Sequence, residues 1–450
     1  MLSRRQLFQL GGLTISGFGL VPFTQINVQA AAKVQPRGGA DCVIFLNLQG
    51  GPSQMDTFDV KEGKWGPENR DIRTVKQGYQ FPYGFLPRLA NHLDDILVVR
   101  SMEAWETVHS RGQFYLQTGH APSPARMKEM PSLGAIIASE TEPNRQPSDF
   151  LPPYVSMNYA AGTMYGPMQG EGCLPGTCAP LTLDLADKSL PFVIAERDKA
   201  RFHNRYELLQ QLDTGAAALS PASPQQPLLY QAFRDSAYRM MVEPRIAQVM
   251  DLPETDRKAY GSTPLGDACI IARNMAAAKA GAKFIMVTQP GWDHHGDIYG
   301  KDGKGGLYKT CADLDAAFAA LLSDLKRFNL LERTLVVCMG EFGRTPGDLT
   351  TLRGREHYAK AMIATFSGAG VKAGRVIGAT DEQAAKVVDY GWREKRAIYP
   401  EDICATIYST LGIDWSKRIT KTPSGRDFVY VDPAGPQGLI NYREVSEFFA

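Results

Sequence analysis

No charge of one sign dominates this chain. Its 49 lysines and arginines stand against 48 aspartates and glutamates, a formal net charge of +1. No basic run rises above that background, so the electrostatic footprint of a nucleic-acid binder is missing. Cysteine is scarce, with seven in 450 residues, and only Cys173 and Cys178 lie close together. An odd count at irregular spacing is neither a disulfide scaffold nor a zinc knuckle. Cys173 and Cys178 are near enough in sequence to bridge, or to remain two free thiols. Internal repeats and low-complexity segments are absent. The apolar run from Leu10 to Phe23 is broken by Gly11, Gly12, Gly17 and Gly19, too short and too glycine-rich for a stable membrane span.

What is present is ordinary in amount. A hydrophobic fraction of 44% and a charged fraction of 22% are those of a soluble globular protein. The length allows one large α/β domain or two smaller ones. At the amino terminus, Arg4 and Arg5 precede the weakly apolar run, and Val28-Gln29-Ala30 follows as a small-residue cleavage pattern. Paired arginines before such a run read as a twin-arginine export signal over residues 1–30. The expected partner is then the twin-arginine translocation machinery, and the expected location is periplasmic or secreted. Export by that route carries a folded protein, so a metal can be loaded beforehand. The remainder, residues 31–450, reads as a single domain, with a helical, polar stretch at 203–260 taken as an insertion or cap.

Short apolar runs at Asp41–Leu48, Asp95–Arg100, Phe284–Thr288, Thr334–Met339 and Met362–Phe366 have the character of buried strands. Residues 143–180, rich in proline, glycine and asparagine, read as loop. Helical periodicity over Leu265–Gly281 and Ala312–Phe328 alternates with the later strands, a βαβ pattern that implies a parallel sheet. In open α/β sheets ligands bind beyond the carboxyl ends of the strands. Two such ends carry polar clusters here: Gly291-Trp-Asp293-His294-His295, and Gly340-Glu341-Phe-Gly-Arg344 followed by Gly354-Arg-Glu-His357.

Four of the seven histidines (His109, His294, His295 and His357) fall in these motif loops. Asp293 and His295 offer an oxygen and a nitrogen from one strand end, and His357 can close the set. Three ligands and an open position are how a catalytic divalent metal is usually held. Alternatively, His294 and His295 are only a polar turn after Trp292. Gly50-Gly51-Pro52-Ser53 offers backbone N–H groups to an anion or is a common tight turn. Trp292 and Trp105 could stack on a substrate or pack in the core.

These motifs, in order, resemble one known family. The twin-arginine start, GGPSQMDTFD, HSRGQFYLQTG, GWDHH, TLVVCMGEFGRTP, GREH and the closing Gly378-Ala-Thr-Asp381 resemble the exported domain of unknown function 1501 (DUF1501) family. That family is grouped with the alkaline phosphatase and sulfatase superfamily, and the likeness spans nearly the whole mature chain. The resemblance implies a three-layer α/β/α fold with a mostly parallel central sheet. It also implies a metal-dependent site for phosphate or sulfate esters of small molecules or carbohydrates. By position, Asp293, His295, Glu341 and His357 match metal ligands, with Asp56 or Asp59 standing in for an aspartate that Asn47 and Gln49 displace. Phe342 replaces the second histidine of the superfamily pattern, so one metal is better matched than two. Carboxylate and imidazole ligands suit zinc, manganese and iron, while calcium would want more oxygens. His109 falls at the position of the sulfatase cysteine, which leaves several roles open: ligand, general acid or nucleophile. Thr107 or Ser110 could supply an attacking hydroxyl, or Ser110 could simply N-cap the following helix. Arg344 is suited to contact an anionic oxygen, or to cap a helix or pair with a surface acid. The alternative to an enzyme is a periplasmic binding or assembly protein that keeps the fold and at most one metal.

Overall fold

The computed structural model describes residues 34–186, 194–219, 225–300, 306–420, 422–435 and 438–450. The expected export signal over residues 1–30 lies outside them. Among the described residues eight strands form the central sheet: β1 (Cys42–Leu48), β2 (Leu97–Met102), β3 (Tyr154–Met157), β4 (Leu181–Leu183), β5 (Phe284–Gln289), β6 (Thr334–Met339), β7 (Met362–Ser367) and β8 (Arg375–Ile377). Their spatial order is β8-β2-β7-β6-β1-β5-β3-β4. Only β7 runs against the rest, pairing antiparallel with both β2 and β6. β1 lies between β5 and β6, and Val43 pairs with Phe284 on one side and Leu335 on the other.

The helices are α1 (His109–Thr118), α2 (Leu133–Thr141), α3 (Lys199–Leu219), α4 (Gln225–Val242), α5 (Arg245–Val249), α6 (Glu254–Tyr260), α7 (Pro264–Ala278), α8 (Leu307–Arg327) and α9 (Pro400–Thr410). Alternation along β1 builds the three layers. Ile44, Leu46 and Leu48 face a core shared with Ile270 of α7 and Phe318 of α8. Val43 and Phe45 face a second core shared with Ile136 of α2 and Ile407 of α9. The sheet is therefore covered on both faces, which is why its central strands read as unbroken apolar runs. Among the described residues no helix is long and apolar enough to cross a membrane.

Three expectations are corrected. Residues 143–180 are not all loop: Tyr154–Met157 is an internal strand, hidden in sequence by its four-residue length and the prolines at 152 and 153. α8 begins at Leu307 rather than Ala312. Ser110 does not cap α1, because Val108 takes the N-cap position and His109 opens the helix.

The topology explains how distant residues meet. Every parallel strand delivers its following loop to the same end of the sheet. Because β7 returns antiparallel beside β6, the whole 340–361 connection stays at that end as well. There Gly343–Arg344 pairs with His357–Tyr358 in a short antiparallel ladder that sets His357 opposite Arg344.

Candidate metal centre

Four side chains converge at the carboxyl ends of β5 and β6 and the start of α1. His109, Asp293, His295 and His357 each turn one ligand atom inward, all within 4.8 Å of one another. Asp293 Oδ1 is the hub, 3.2 Å from His109 Nε2, 2.9 Å from His295 Nε2 and 3.2 Å from His357 Nε2. The two imidazole nitrogens of His295 and His357 approach each other to 2.9 Å.

The other nitrogen of each ring faces an oxygen. His109 Nδ1 donates to Glu341 at 2.7 Å, His295 Nδ1 meets Glu356 at 2.8 Å, and His357 Nδ1 donates to the Thr107 carbonyl at 2.6 Å. Such partners fix the tautomer with the proton on Nδ1 and leave the Nε2 lone pair free, the arrangement found behind metal-bound histidines. Two Nε2 lone pairs 2.9 Å apart repel unless a cation lies between them. Among the described residues buried His109 Nε2 faces only Asp293 Oδ1, at 3.2 Å and without a well-aligned hydrogen bond, a cost that a metal ligand bond removes. The donor set of three imidazoles and one carboxylate therefore fits a divalent cation.

Charge is balanced from below. Arg344 is 1% exposed; its guanidinium donates to Asp293 and also to the Gly50, Gly51 and Arg355 carbonyls. Burial would raise the Asp293 carboxyl, but the neighbouring His109, His357 and Arg344 outweigh it and hold it far below the usual carboxylate range. Burial likewise disfavours charged His109, yet the carboxylates of Asp293 and Glu341 beside it lift it above the ordinary imidazole value in the absence of an ion. His294 points elsewhere: burial and nearby Arg344 lower it to about 4, and its Nε2 lies 3.3 Å from Thr310 Oγ1.

The remaining residues singled out in the sequence sit around this cluster in different ways. Glu341 is not among the four converging groups. Its carboxylate accepts from His109, from the Gly50 N–H at 3.0 and 3.2 Å, and from Gln113 at 2.9 Å. Gly50 can approach so closely because it has φ +119° and no side chain; a Cβ there would lie 2.5 Å from the Asp293 nitrogen. Asp56 is not brought to the cluster either. It is fully buried against Arg355 at 2.8 Å, with Ser53 and Tyr299 hydroxyls on its oxygens. Asp59 pairs with Arg100 at 3.1 Å. Thr107 and Ser110 flank the cluster, Thr107 exposed and Ser110 half-buried. Phe342 packs its ring 4.9 Å from His109 and 4.7 Å from His357. Trp292 is fully buried, and Trp105 stacks on Tyr399 at 4.1 Å, so neither offers a free platform. All seven cysteines are free thiols.

Sequence reasoning missed Glu356, Gln113 and Tyr165. Gln113 carried a usable signal, since it lies four residues after His109 and hence on the same helix face. Glu356 adjoins His357 in the GREH motif. Tyr165, whose ring meets His109 edge-on at 5.0 Å, lies in an irregular loop and had none. Exchanging Glu341 for glutamine should weaken metal binding by about 10- to 100-fold, the usual effect of losing a ligand's partner. A competition titration against a coloured chelator checks this, and unchanged affinity would remove Glu341 from the support of the site.

A family model described as a protein of unknown function, DUF1501, matches residues 40–438. The chain belongs to the DUF1501 family. No curated protein matches this DUF1501 chain. Among solved structures it is similar to the PsFucS1 sulfatase from Pseudoalteromonas sp., at 13% identity and TM-score 0.40, covering 84% of this chain and 68% of that one. It is also similar to the phosphonate monoester hydrolase SpPMH from Silicibacter pomeroyi, at 12% identity and TM-score 0.42, covering 92% and 77%. A third similarity is to an alkaline phosphatase superfamily protein from Vibrio parahaemolyticus, at 14% identity and TM-score 0.37, covering 87% and 72%.

Proposed function

We propose that this DUF1501 protein is an exported, metal-dependent hydrolase of phosphate or sulfate esters. The observation that carries the metal dependence is the convergence of three Nε2 atoms and Asp293 Oδ1, with every Nδ1 engaged by an oxygen. One ion is favoured over two, because the carboxylates of Glu341 and Asp56 are already committed to His109 and Arg355. Imidazole and carboxylate donors suit zinc, manganese or iron, with calcium the poorest match. When bound, such an ion polarises an ester oxygen as a Lewis acid.

The chain's own residues do the rest. His109, Asp293, His295 and His357 hold the site, Arg344 holds Asp293, and Glu341 orients His109. The attacking hydroxyl would come from water, Thr107 or Ser110, which border the cluster on the approach to α1. The ester itself would be that of a small molecule or carbohydrate. The export half of the proposal rests on Arg4, Arg5 and the weakly apolar run that follows.

A second reading, a binding or assembly protein on the same fold, is favoured by the commitment of Arg344 to four acceptors inside the protein. The two readings separate on one experiment. Protein loaded with divalent metal is offered p-nitrophenyl phosphate and p-nitrophenyl sulfate, then treated with chelator and reloaded. Saturable hydrolysis that disappears with the metal and returns with it is the expected result. Fully loaded protein that cleaves neither ester leaves the binding reading in place.

A further inference from the structure

A tetrahedral phosphate or sulfate ester brings non-bridging oxygens whose charge needs hydrogen-bond donors as well as a cation. The donors of Arg344, of the glycine loop and of α1 are committed elsewhere. Arg344 is buried and donates to Asp293 and three carbonyls. The Gly50 N–H donates to Glu341, and the Gly51 N–H faces the Leu48 carbonyl at 3.4 Å. Gln113 Nε2 is held by Glu341 and Gln117 Nε2 by the Tyr159 hydroxyl. Three hydroxyls bordering the cluster have no hydrogen-bond partner among the described residues: those of Thr107, Ser110 and Tyr165.

They are not equivalent. Thr107 is exposed and uses its carbonyl, not its hydroxyl, to hold His357. Ser110 is overlain by the loop, and a Cβ on Gly166 would lie 3.3 Å from its own Cβ. Tyr165 alone of the three packs against a cluster imidazole, its ring edge-on to His109 at 5.0 Å. Burial first, and then Asp293 and Glu341, push its phenol up to about 12.

The arm that carries Tyr165 is tied down at several points. Gly162 and Gly166 pair with each other, the Gly166 N–H donating at 2.7 Å. Both ends of the Gln49 amide clamp Ala160, Nε2 donating to its carbonyl at 3.3 Å and Oε1 accepting its N–H at 3.2 Å. The Tyr159 hydroxyl donates to the Tyr165 carbonyl at 3.2 Å and receives Gln117 Nε2 at the same distance. Gln49 follows β1, which lies between β5 and β6, and Gln117 lies on α1, which His109 opens, so the arm is tied to the central sheet and to the helix that carries one of the ligands.

We propose that Tyr165 is a substrate-contacting residue whose hydroxyl donates a hydrogen bond to a non-bridging oxygen of a phosphate or sulfate group held at the His109–Asp293–His295–His357 cluster. The inference rests on the hydrolase reading above. No proton leaves the phenol in this role, which suits a group that ordinarily titrates near pH 10.

The test compares full-length wild type with Tyr165→Phe, both loaded with the same divalent metal and assayed for metal content. Each is titrated calorimetrically with inorganic phosphate and with sulfate. Phenylalanine keeps the ring against His109, so metal content should be unchanged. Loss of a hydrogen bond to a charged group should weaken anion binding by about 10- to 100-fold, with a matching fall in kcat/KM on any ester the wild type cleaves. Equal anion binding by the variant overturns the role of Tyr165 and leaves the hydrolase reading standing. Loss of metal from Tyr165→Phe also overturns it, since the ring would then be supporting the cluster rather than meeting substrate. Metal-loaded wild type that binds neither anion overturns the hydrolase reading and this inference with it.

Discussion

Asp293→Asn should leave a folded protein with almost no bound divalent metal, where the wild type retains about one equivalent after gel filtration. Asp293 Oδ1 is the atom on which three imidazoles converge, and it contributes the only negative charge inside the ligand set. Losing a mere partner of a ligand costs 10- to 100-fold in affinity, so losing the charged ligand itself should cost more than about 100-fold. Asparagine is the informative substitution because it preserves shape. Alanine would also take an acceptor from Arg344, a guanidinium that is 1% exposed; breaking a buried pair destabilises by up to about 3–5 kcal/mol, and the three carbonyls that still accept from Arg344 offset part of it. Mass-spectrometric metal content of the two proteins, prepared side by side, decides the matter. Full stoichiometry in Asp293→Asn would mean that the ion sits elsewhere.

Arg355→Ala should be the most damaging single change for stability outside the ligands, lowering it by about 3–5 kcal/mol. Arg355 and Asp56 are both 0% exposed and 2.8 Å apart. Arg355 also donates to the Thr345 and Gly347 carbonyls at 3.0 and 2.8 Å. The truncation leaves a carboxylate and two carbonyls buried. Tyr299, at 2.7 Å from Asp56, and Arg70, at 3.7 Å, offset part of the loss, which favours the lower end of the range. The loop concerned also carries His357, and the Arg355 N–H is bonded to the His294 carbonyl at 2.9 Å. Metal affinity should therefore fall together with the denaturation midpoint. A midpoint within error of the wild type would show that the pair contributes little.

Much of this was legible before the fold was known. β1, β5 and β6 announce themselves as apolar runs, and the loops after β5 and β6 hold Asp293, His295 and His357, which the structure brings together. Position along the chain says where a side chain starts but not what neutralises it. Asp56 and Glu341 are carboxylates in motif loops, and nothing local reveals that one faces Arg355 and the other His109, partners 299 and 232 residues away. The motif leaves Arg344 free to meet an anionic oxygen or to pair with an acid; the ladder with His357 turns it inward to Asp293. β3 escaped notice because four residues between prolines and glycines leave no periodicity to detect. Strand order was invisible for the same reason as the ion pairs, since long-range pairing leaves no local mark.

The place of β1 at the middle of the sheet has a consequence for synthesis. Both of its edges are closed by strands made much later, at Phe284–Gln289 and Thr334–Met339. At about 5–20 residues per second, roughly 10 to 50 s separate β1 from the first of these partners on the ribosome. For that time an apolar strand with two open edges is a template for the wrong partner, and it needs a chaperone or transient burial to survive. A nascent chain that stalls before residue 334 cannot close the sheet at all, however well its first three hundred residues are made.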